Sequence, residues 1–312
     1  MKNKPIKNFK DLLKKCLYLK NLHGIQKMAV ICPYDVFTLR AIIKAQKEKI
    51  INSILIGNKD KIEEALKKLK KSLFDFEIIN IIEEEKILQK AMELVNSKKV
   101  HLIMKGFIQT STLLKAVLDK EKGIRTEKLI SHVSVFKLKN INRLMFMSDG
   151  GININPNLLE KKSIIENAVF VAHNLGIKKP RVALLSAVET INLKMESSVE
   201  DAILSKMVDR SQIKNVIIDG PLAFDGAMSK KIAELKGIKT RIAGRVDIFI
   251  VNQIETGNLF FKMLMYFNLA KGAGIVTGAK VPIVLVSRTD KEEIKFYSIV
   301  LGTIISYHKN KE

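Results

Sequence analysis

Short apolar segments alternate with amphipathic segments along almost the whole chain. Apolar runs such as residues 28–32, 51–57 and 100–106 have the length and the β-branched content of buried strands. The segments that follow them place apolar residues three and four positions apart, which is the spacing of one helix face. Repeated strand–helix units of this kind predict an α/β fold, in which a mostly parallel sheet is covered by helices on both faces.

The predicted elements form two consecutive sets. Strands of the first set are predicted at 28–32, 51–57, 77–82 and 100–106, and helices at 36–49, 59–69, 84–97 and 111–119. Strands of the second set are predicted at 144–148, 181–186, 215–219 and 247–251, and helices at 157–175, 199–208, 229–235 and 258–269. A last strand at 281–286 precedes a helix that extends to about residue 306. Residues 1–20 predict a Lys-rich amphipathic helix rather than a signal peptide, because no long uncharged run is present.

Length and composition indicate a globular protein. The 312 residues can bury one large or two medium cores, and 47% of them are hydrophobic, with a mean hydropathy of +0.07. No apolar run approaches the length of a membrane span, so no membrane partner is expected. Cys16 and Cys32 have no metal or redox spacing, and the histidines show no helical pairing, so no metal site is predicted. We therefore expect a reduced, cytoplasmic protein with free thiols.

The formal net charge of +22 raises the question of nucleic-acid binding. The basic residues are mostly lysines spread through predicted helices and close to Glu or Asp, and no run combines basic with aromatic residues as single-strand binders do. A solvated basic surface is the favoured interpretation, with no specific nucleic-acid partner. Nucleic acid and an anionic metabolite remain as alternatives. Against this Lys-rich background, Arg288 stands out by its context as a candidate phosphate contact, followed by Arg125 and Arg245, because guanidinium groups bind phosphate through a planar fork.

A hydroxyl and a guanidinium follow the last predicted strand. Ser287 and Arg288 come directly after it, and Asp290 and Glu293 lie at the start of the helix beyond. Open α/β sheets bind ligands at the carboxyl ends of their strands, and helix N-termini attract phosphate. The alternative is a purely structural role, in which Ser287 or Thr289 caps the helix, Glu292 completes a capping box, and Arg288 forms a surface ion pair.

Polar residues also follow other predicted strands. Lys105 precedes Thr110 and Ser111, Asp219 precedes a Gly-Pro pair, and Gly257 and Asn258 follow a fourth strand. Each group alone is equally well explained as a helix cap or a turn. Their repetition at successive strand ends predicts a ligand-binding edge. The Gly-rich segment 272–278 follows a helix and precedes a strand, which is the wrong order for a dinucleotide-binding loop.

Several motifs together resemble one known family. They are segments 102–119, 130–136, 149–156, 181–186, 219–225, 257–259 and 287–288. This ordered set is similar to the phosphate acyltransferases, the family of phosphate acetyltransferases and phosphate butyryltransferases, and is most similar to the butyryl members. The resemblance implies two three-layer α/β/α domains with the active-site cleft between them, at 1–142 with 273–312 and at 143–272, and a homodimer. It implies reversible acyl transfer between coenzyme A and orthophosphate, with both as substrates and no bound cofactor.

The resemblance also implies roles for individual residues. Ser287 and Arg288 match the family's active-site pair. The family's catalytic Asp lies a few residues further on, where a one-residue gap selects Glu293 and Asp290 is the rival. The implied contacts to phosphate and coenzyme A are Lys105, Thr110, Ser111, Lys115, Arg125, Asn155, Asp219, Gly257, Asn258 and Gly278. Lys115 stands where the acetyl enzymes carry an Arg. Direct transfer in a ternary complex needs no covalent acyl-enzyme.

Three alternatives accompany this hypothesis. The first is the acetyl version of the same reaction. The second is an oxidoreductase of the isocitrate or isopropylmalate dehydrogenase type, which would need a divalent-metal carboxylate cluster and a cofactor loop that the sequence does not show. The third is a nucleic-acid-binding protein, which predicts steeply salt-dependent binding.

Overall fold

Two packed units make up the chain in a computed structural model that describes residues 5–309. The terminal unit consists of Phe9–Lys128 and Ala273–Glu312, and the central unit of Met1–Asn8 and Leu129–Gly272. Residues 1–4 of the predicted N-terminal helix and residues 310–312 of the predicted first domain lie outside the described residues. The domain division expected from the resemblance, 1–142 with 273–312 and 143–272, stays a prediction.

The terminal unit is built on parallel strands. They are β1 (Gln26–Ile31), β2 (Ile51–Gly57), β3 (Glu77–Asn80), β4 (Leu102–Lys105) and β11 (Ile283–Val284). Their order is β3-β2-β1-β4-β11. Met28 pairs with Leu102 and Ile103 pairs with Ile283, so the strands end at one edge. β1, β2 and β4 are almost continuously apolar because helices cover both faces of such a sheet.

The terminal unit has six α-helices in the described part of the chain. They are α1 (Phe9–His23), α2 (Val36–Lys47), α3 (Lys59–Lys67), α4 (Glu84–Asn96), α5 (Thr110–Leu118) and α11 (Glu292–Lys309). The chain crosses the sheet in one direction from β1 to β3 and then returns to β4 on the other side of β1. Because crossovers between parallel strands are right-handed, α2 and α3 lie on one face of the sheet and α4 lies on the other. α11 packs against α1 and α2, and Phe9 meets Tyr297 with ring centroids 4.8 Å apart.

The central unit repeats the pattern. Its strands are β5 (Ser131–Leu138), β6 (Met145–Ser148), β7 (Arg181–Leu185), β8 (Ile217–Leu222) and β9 (Ile248–Ile250). They lie in the order β5-β6-β9-β7-β8, with β5 antiparallel and the others parallel. The helices are α6 (Leu158–Asn174), α7 (Glu196–Asp209), α8 (Phe224–Met228), α9 (Lys230–Leu235) and α10 (Ile254–Tyr266). Phe136, Phe249 and Leu222 are among the buried core residues of this unit.

The predicted α/β class with mostly parallel strands is confirmed, and two strands were not predicted. β5 contains Ser131 and Ser134, and β10 (Ala270–Thr277) is rich in Gly and Ala, which have low strand propensity. β10 runs antiparallel to β11, with Val276 opposite Ile283. The Gly-rich segment 272–278 therefore belongs mainly to a strand. Among residues 5–309, none of the helices combines the length and the apolarity needed to cross a bilayer.

Candidate active site

The parallel strands of the terminal unit bring three chain segments to one edge. Ile31 pairs with Lys105, and Met104 pairs with Val284. The loops that follow β1, β4 and β11 therefore leave the sheet side by side. They carry Asp35 after β1, Lys105 and Phe107 at the end of β4, and Ser287 after β11. Ligands of parallel sheets bind at such an edge.

Ser287 begins a tight turn ahead of α11. Its backbone N–H donates to Asp290 Oδ2 at 2.7 Å, and its carbonyl accepts from the backbone N–H of Asp290 at 3.2 Å. The Ser287 hydroxyl lies 3.0 Å from Thr289 Oγ1 and is exposed. Because α11 begins at Glu292, neither Ser287 nor Thr289 is adjacent to the helix start. The capping alternative is therefore wrong, and the turn presents the Ser287 hydroxyl to solvent.

The Arg288 guanidinium stacks on an aromatic ring. Its Cζ atom lies 4.2 Å from the centroid of the Phe107 ring, although both residues are exposed. Stacking on an aromatic face stabilises a cation and restricts its side chain, while the N–H groups at the rim of the guanidinium remain directed outward. Arg288 is therefore oriented by a residue that the sequence motifs did not single out.

Two lysines are buried next to Arg288. Lys105 is 6% exposed and donates to the carbonyls of Gly106 and Ile108, at 3.3 and 3.0 Å. Lys295, in α11, is 1% exposed and donates to the carbonyl of Ser287 at 2.7 Å. Burial lowers the pKa of both lysines, and the charges of Arg288 and Lys295 lower the pKa of Lys105 further. Sequence analysis missed Lys295, whose only signal is a lysine on an otherwise apolar helix face.

Asp35 balances part of this positive charge. It caps α2 by accepting from the backbone N–H of Thr38 at 2.8 Å. The negative charge of Asp35 raises the pKa of Lys105 and of Lys295, and that of Asp290 also raises the pKa of Lys295. Burial has the larger effect, so the pKa of each lysine is still lowered. Glu293 lies exposed in the first turn of α11. Of the two predicted carboxylates, Asp290 is therefore the one that belongs to the charged cluster.

Thr110, Ser111 and Lys115 lie on α5 in the terminal unit. Gln109 precedes the helix and makes no side-chain capping hydrogen bond, so neither Thr110 nor Ser111 is the N-cap residue. The first N–H groups of a helix have no intrahelical partner and attract anions. Ser111 and Lys115 are exposed. Their predicted substrate contacts stay predictions.

Arg125 and Gly278 lie on adjacent loops of the terminal unit. Thr126 Oγ1 donates to the carbonyl of Gly278, and Lys280 N donates to the carbonyl of Ile124 at 2.8 Å. Gly278 has a φ of 101°, a conformation that side chains disfavour, so glycine is required by the turn itself. Arg125 is exposed, and its predicted phosphate contact stays a prediction.

The other predicted residues belong to the central unit. Gly257 and Asn258 lie inside α10, which begins at Ile254 rather than at the predicted residue 258. A Cβ on Gly257 would lie 2.7 Å from the Cα of Gly150, and Asn258 Nδ2 donates to the Gly150 carbonyl at 3.2 Å. Both residues therefore hold α10 against the loop that follows β6.

Asp219 and Asn155 have different surroundings. Asp219 lies within β8 rather than at its end, and its carboxylate accepts from the N–H of Gly220 at 3.0 Å. The Gly-Pro pair misled the strand prediction, because β8 is an edge strand and tolerates a proline there. Asn155 is exposed and lines a cavity of the central unit, close to Lys161 and Asn252.

Asp201, in α7, is a buried acid of the central unit. It is 1% exposed, burial raises its pKa to about 7, and its Oδ2 atom has no hydrogen-bond partner among the described residues. An unfolded Asp titrates near 4. The native state therefore holds a proton that the unfolded state loses, and stability should fall as the pH rises from about 4 to about 7.

Replacing Asp201 with Asn should remove this pH dependence. We expect the excess of Asp201→Asn over the parent in free energy of unfolding to be larger at pH 8 than at pH 5 by on the order of 2 kcal/mol. Urea unfolding at both pH values measures this. Asp209→Asn, at an exposed position of the same helix, is the control. A parent whose stability is the same at pH 5 and pH 8 would contradict the assignment.

The two cysteines are unsuited to covalent catalysis. Cys16 and Cys32 are free and buried. Burial raises the pKa of the Cys16 thiol to about 12 and that of Cys32 above its ordinary value. A thiol must ionise to act as a nucleophile. Within residues 5–309, no group of three His, Cys, Asp or Glu side chains is placed to hold a metal ion.

Comparison with known proteins decides the family. A family model described as "Phosphate acetyl/butaryl transferase" matches residues 84–303. The chain belongs to this family. The resemblance inferred from the motifs is thereby confirmed, and the family is one of acyltransferases. The oxidoreductase alternative is not supported, because the whole ordered set of motifs belongs to the acyltransferase family.

Individual relatives of the family cover nearly the whole chain. The phosphate butyryltransferase of Clostridium acetobutylicum is 42% identical over 304 residues, which are 97% of this chain and 100% of the relative. The phosphate acetyltransferase of Rickettsia felis is 40% identical over 97% of this chain and 86% of its own length. Among solved structures, a branched-chain phosphotransacylase from Enterococcus faecalis V583 has a TM-score of 0.80 and 30% identity, covering 90% of this chain and 99% of that one.

Proposed function

We propose that the protein transfers a short acyl group, butyryl in the first place, between coenzyme A and orthophosphate. The observation that carries the proposal is the cluster of Lys105, Lys295 and Arg288 beside Ser287, in a chain that belongs to the phosphate acetyl/butyryl transferase family. The identity to the butyryltransferase of C. acetobutylicum supports butyryl. The nearly equal identity to an acetyltransferase keeps acetyl as the alternative.

Phosphate binds at the cationic cluster. Arg288, Lys105 and Lys295 supply three positive charges against the carboxylates of Asp35 and Asp290, so the cluster holds an excess of one positive charge for a dianion. The N-terminus of α5 follows β4 and offers backbone N–H groups without a side-chain cap. Arg288 is the member that reaches solvent and meets the anion first.

The reaction is a single acyl transfer. A phosphate oxygen attacks the thioester carbonyl, a C–O bond forms, the C–S bond breaks, and coenzyme A leaves with the electron pair on sulfur. Negative charge develops on the carbonyl oxygen, where Arg288 and the Ser287 hydroxyl donate hydrogen bonds. Both cysteine thiols are buried and have raised pKa values, which supports direct transfer without an acyl-cysteine.

The catalytic carboxylate is proposed to be Asp290 rather than Glu293. In the reverse direction a carboxylate accepts the thiol proton, a contribution of about 10²-fold or more. Asp290 also holds the Ser287 turn. We expect Asp290→Asn to lower kcat by about 10²-fold and Glu293→Gln by less than threefold. Steady-state kinetics in both directions measures this, and a larger loss in Glu293→Gln would reverse the assignment.

The deciding experiment is phosphate-dependent release of free coenzyme A thiol. Butyryl-CoA, acetyl-CoA and a branched acyl-CoA are compared as substrates with and without phosphate. Release that requires phosphate establishes the reaction class, and the ratio of kcat/KM values establishes the preferred acyl group. Folded protein that releases no thiol from any of the three would overturn the proposal.

The surroundings of the enzyme are part of the same proposal. A cytoplasmic location is supported by two thiols that remain unpaired, and butyryl phosphate as product would belong to butanoate metabolism.

A homodimer is supported by apolar side chains exposed on or just after α10, with Tyr266 82% and Phe267 61% exposed. Light scattering at micromolar concentration measures the mass. No specific nucleic acid is expected to bind.

A further inference from the structure

The chain segment that follows β4 is fixed at the end of β1. The backbone N–H of Gly106 donates to the carbonyl of Ile31 at 2.8 Å, and that of Phe107 donates to the carbonyl of Cys32 at 2.7 Å. These two hydrogen bonds continue the pairing of β1 with β4 beyond the end of β4. The backbone at Phe107 is therefore held at the edge of the sheet where the cationic cluster lies.

The buried Lys105 ammonium holds the same segment from inside the fold. It donates to the carbonyls of Gly106 and Ile108, the two neighbours of Phe107, at 3.3 and 3.0 Å. Ile108 is itself buried, and its N–H donates to the carbonyl of Gly106 at 3.0 Å. Phe107, in contrast, is 49% exposed. Its side chain therefore extends toward solvent from a backbone that is held on both sides.

The side chain of Arg288 has no comparable polar support. In the part of the chain that the structure describes, neither a hydrogen bond nor an ion pair joins it to another residue. The positive charge of Arg288 lowers the pKa of Lys105, which means that the two cations repel each other. The Phe107 ring, whose centroid lies 4.2 Å from Arg288 Cζ, supplies an attraction that keeps the guanidinium beside the cluster in spite of this repulsion.

The stacked arrangement leaves the hydrogen-bond donors of Arg288 free. The five N–H groups of a guanidinium lie in its plane, whereas the Phe107 ring covers one face of that plane. Phosphate and a developing oxyanion are both bound through such donors. A donor that is already oriented needs no rearrangement when charge develops in the transition state. The ring thus fixes the cation without occupying the atoms that the reaction needs.

We propose that Phe107 is a positioning residue for acyl transfer, and that its ring holds the Arg288 guanidinium in the orientation that binds phosphate and the carbonyl oxygen. The inference rests on the proposed function, which gives Arg288 both of these contacts. In this role Phe107 acts only through Arg288. A contact between a cation and an aromatic face contributes about 2- to 5-fold at an exposed site and about 30-fold where water is excluded.

Phe107→Leu tests the role of the ring, because leucine keeps an apolar side chain but has no aromatic face. Bound acyl-CoA excludes water from the site, so we expect kcat/KM for phosphate to fall about 5- to 30-fold, while the KM for acyl-CoA stays within about twofold of the parent value. Phe107→Tyr retains the aromatic face and should stay within about twofold of the parent in both constants. Phe74→Leu, the same change at a fully exposed position of the terminal unit, is the matched control.

A double-mutant cycle shows whether the effect passes through Arg288. In the Arg288→Ala background, Phe107→Leu should change kcat/KM for phosphate by less than about twofold, because no guanidinium remains to be positioned. An equal loss in Phe107→Leu and Phe107→Tyr would overturn the proposal, since the aromatic face would then have no effect. The same loss with and without Arg288 would overturn it as well.

A chemical readout separates this inference from the proposed function. Butane-2,3-dione modifies accessible guanidinium groups, and peptide mass spectrometry gives its rate at Arg288 relative to the exposed Arg40 of the same unit. Loss of the ring should raise this relative rate at least about threefold in Phe107→Leu and leave it unchanged in Phe107→Tyr. A parent that is inactive on every acyl-CoA would overturn the proposed function and this inference with it. An active parent, with the same relative rate in folded Phe107→Leu, would overturn the positioning role alone.

Discussion

Arg288→Ala is expected to lower kcat/KM for acyl transfer by about 10²–10³-fold while the protein remains folded. Arg288 is exposed and stacks on Phe107, so its removal creates no cavity. The expected loss corresponds to about 3–4 kcal/mol of transition-state stabilisation, the size measured when one oxyanion donor is removed. Steady-state thiol-release kinetics, with phosphate and acyl-CoA varied separately, measures the effect.

Two matched variants make the Arg288 result specific. Arg288→Lys keeps the charge but loses the planar fork, so it should recover part of the activity and bind phosphate less tightly than the parent. Arg40→Ala removes an exposed arginine of α2 in the same unit, and should leave the kinetics unchanged. Activity within threefold of the parent in Arg288→Ala, with an unchanged melting temperature, would remove Arg288 from the mechanism.

The strand–helix alternation was readable from sequence because it depends on local patterns. Runs such as residues 51–57 are shorter than a typical helix and rich in isoleucine, and both features favour a strand. β10 could not be predicted, since its Gly and Ala residues carry no strand signal and its pairing with β11 depends on residues further along the chain. At Asp219 the sequence predicts the end of a strand, because a Gly-Pro pair follows. In the structure β8 continues past this residue, since it pairs with β7 there.

Ser287, Arg288 and Lys105 of the charged site were predicted from the sequence, whereas Asp35 and Lys295 were not. Ser287 and Arg288 are adjacent in sequence, and their position after a strand predicts a ligand edge. Asp35 and Lys105 reach the same edge because β1 and β4 are paired, which requires the sheet order. In a chain with 54 Lys and Arg residues, a single buried lysine such as Lys295 has no compositional signal. Burial is what distinguishes it from the solvated lysines.

Lys295→Met is expected to lower kcat by about 10²-fold. The buried ammonium of Lys295 is a positioning group, because it donates to the Ser287 carbonyl at 2.7 Å and lies close to Asp35 and Asp290. Its removal leaves the Ser287 carbonyl without this donor and leaves the negative charges of Asp35 and Asp290 less neutralised. The lost hydrogen bond also destabilises the fold by about 1–3 kcal/mol. Kinetics and thermal unfolding of the same preparation measure both effects.

Lys295→Gln distinguishes geometry from charge, because glutamine keeps an N–H donor and loses the ammonium. If the hydrogen bond to the Ser287 carbonyl is what matters, kcat in Lys295→Gln should be at least 10-fold higher than in Lys295→Met.

The pH dependence of the parent's kinetics gives a second readout. The lowered pKa values of Lys105 and Lys295 mean that these lysines lose their protons below the ordinary lysine pKa of 10.5, so phosphate KM in the parent should rise as the pH rises toward that value. Lys291→Met, at an exposed position just before α11, is the control. Equal kinetics in Lys295→Met and Lys291→Met, from folded proteins, would show that the buried lysine serves stability alone.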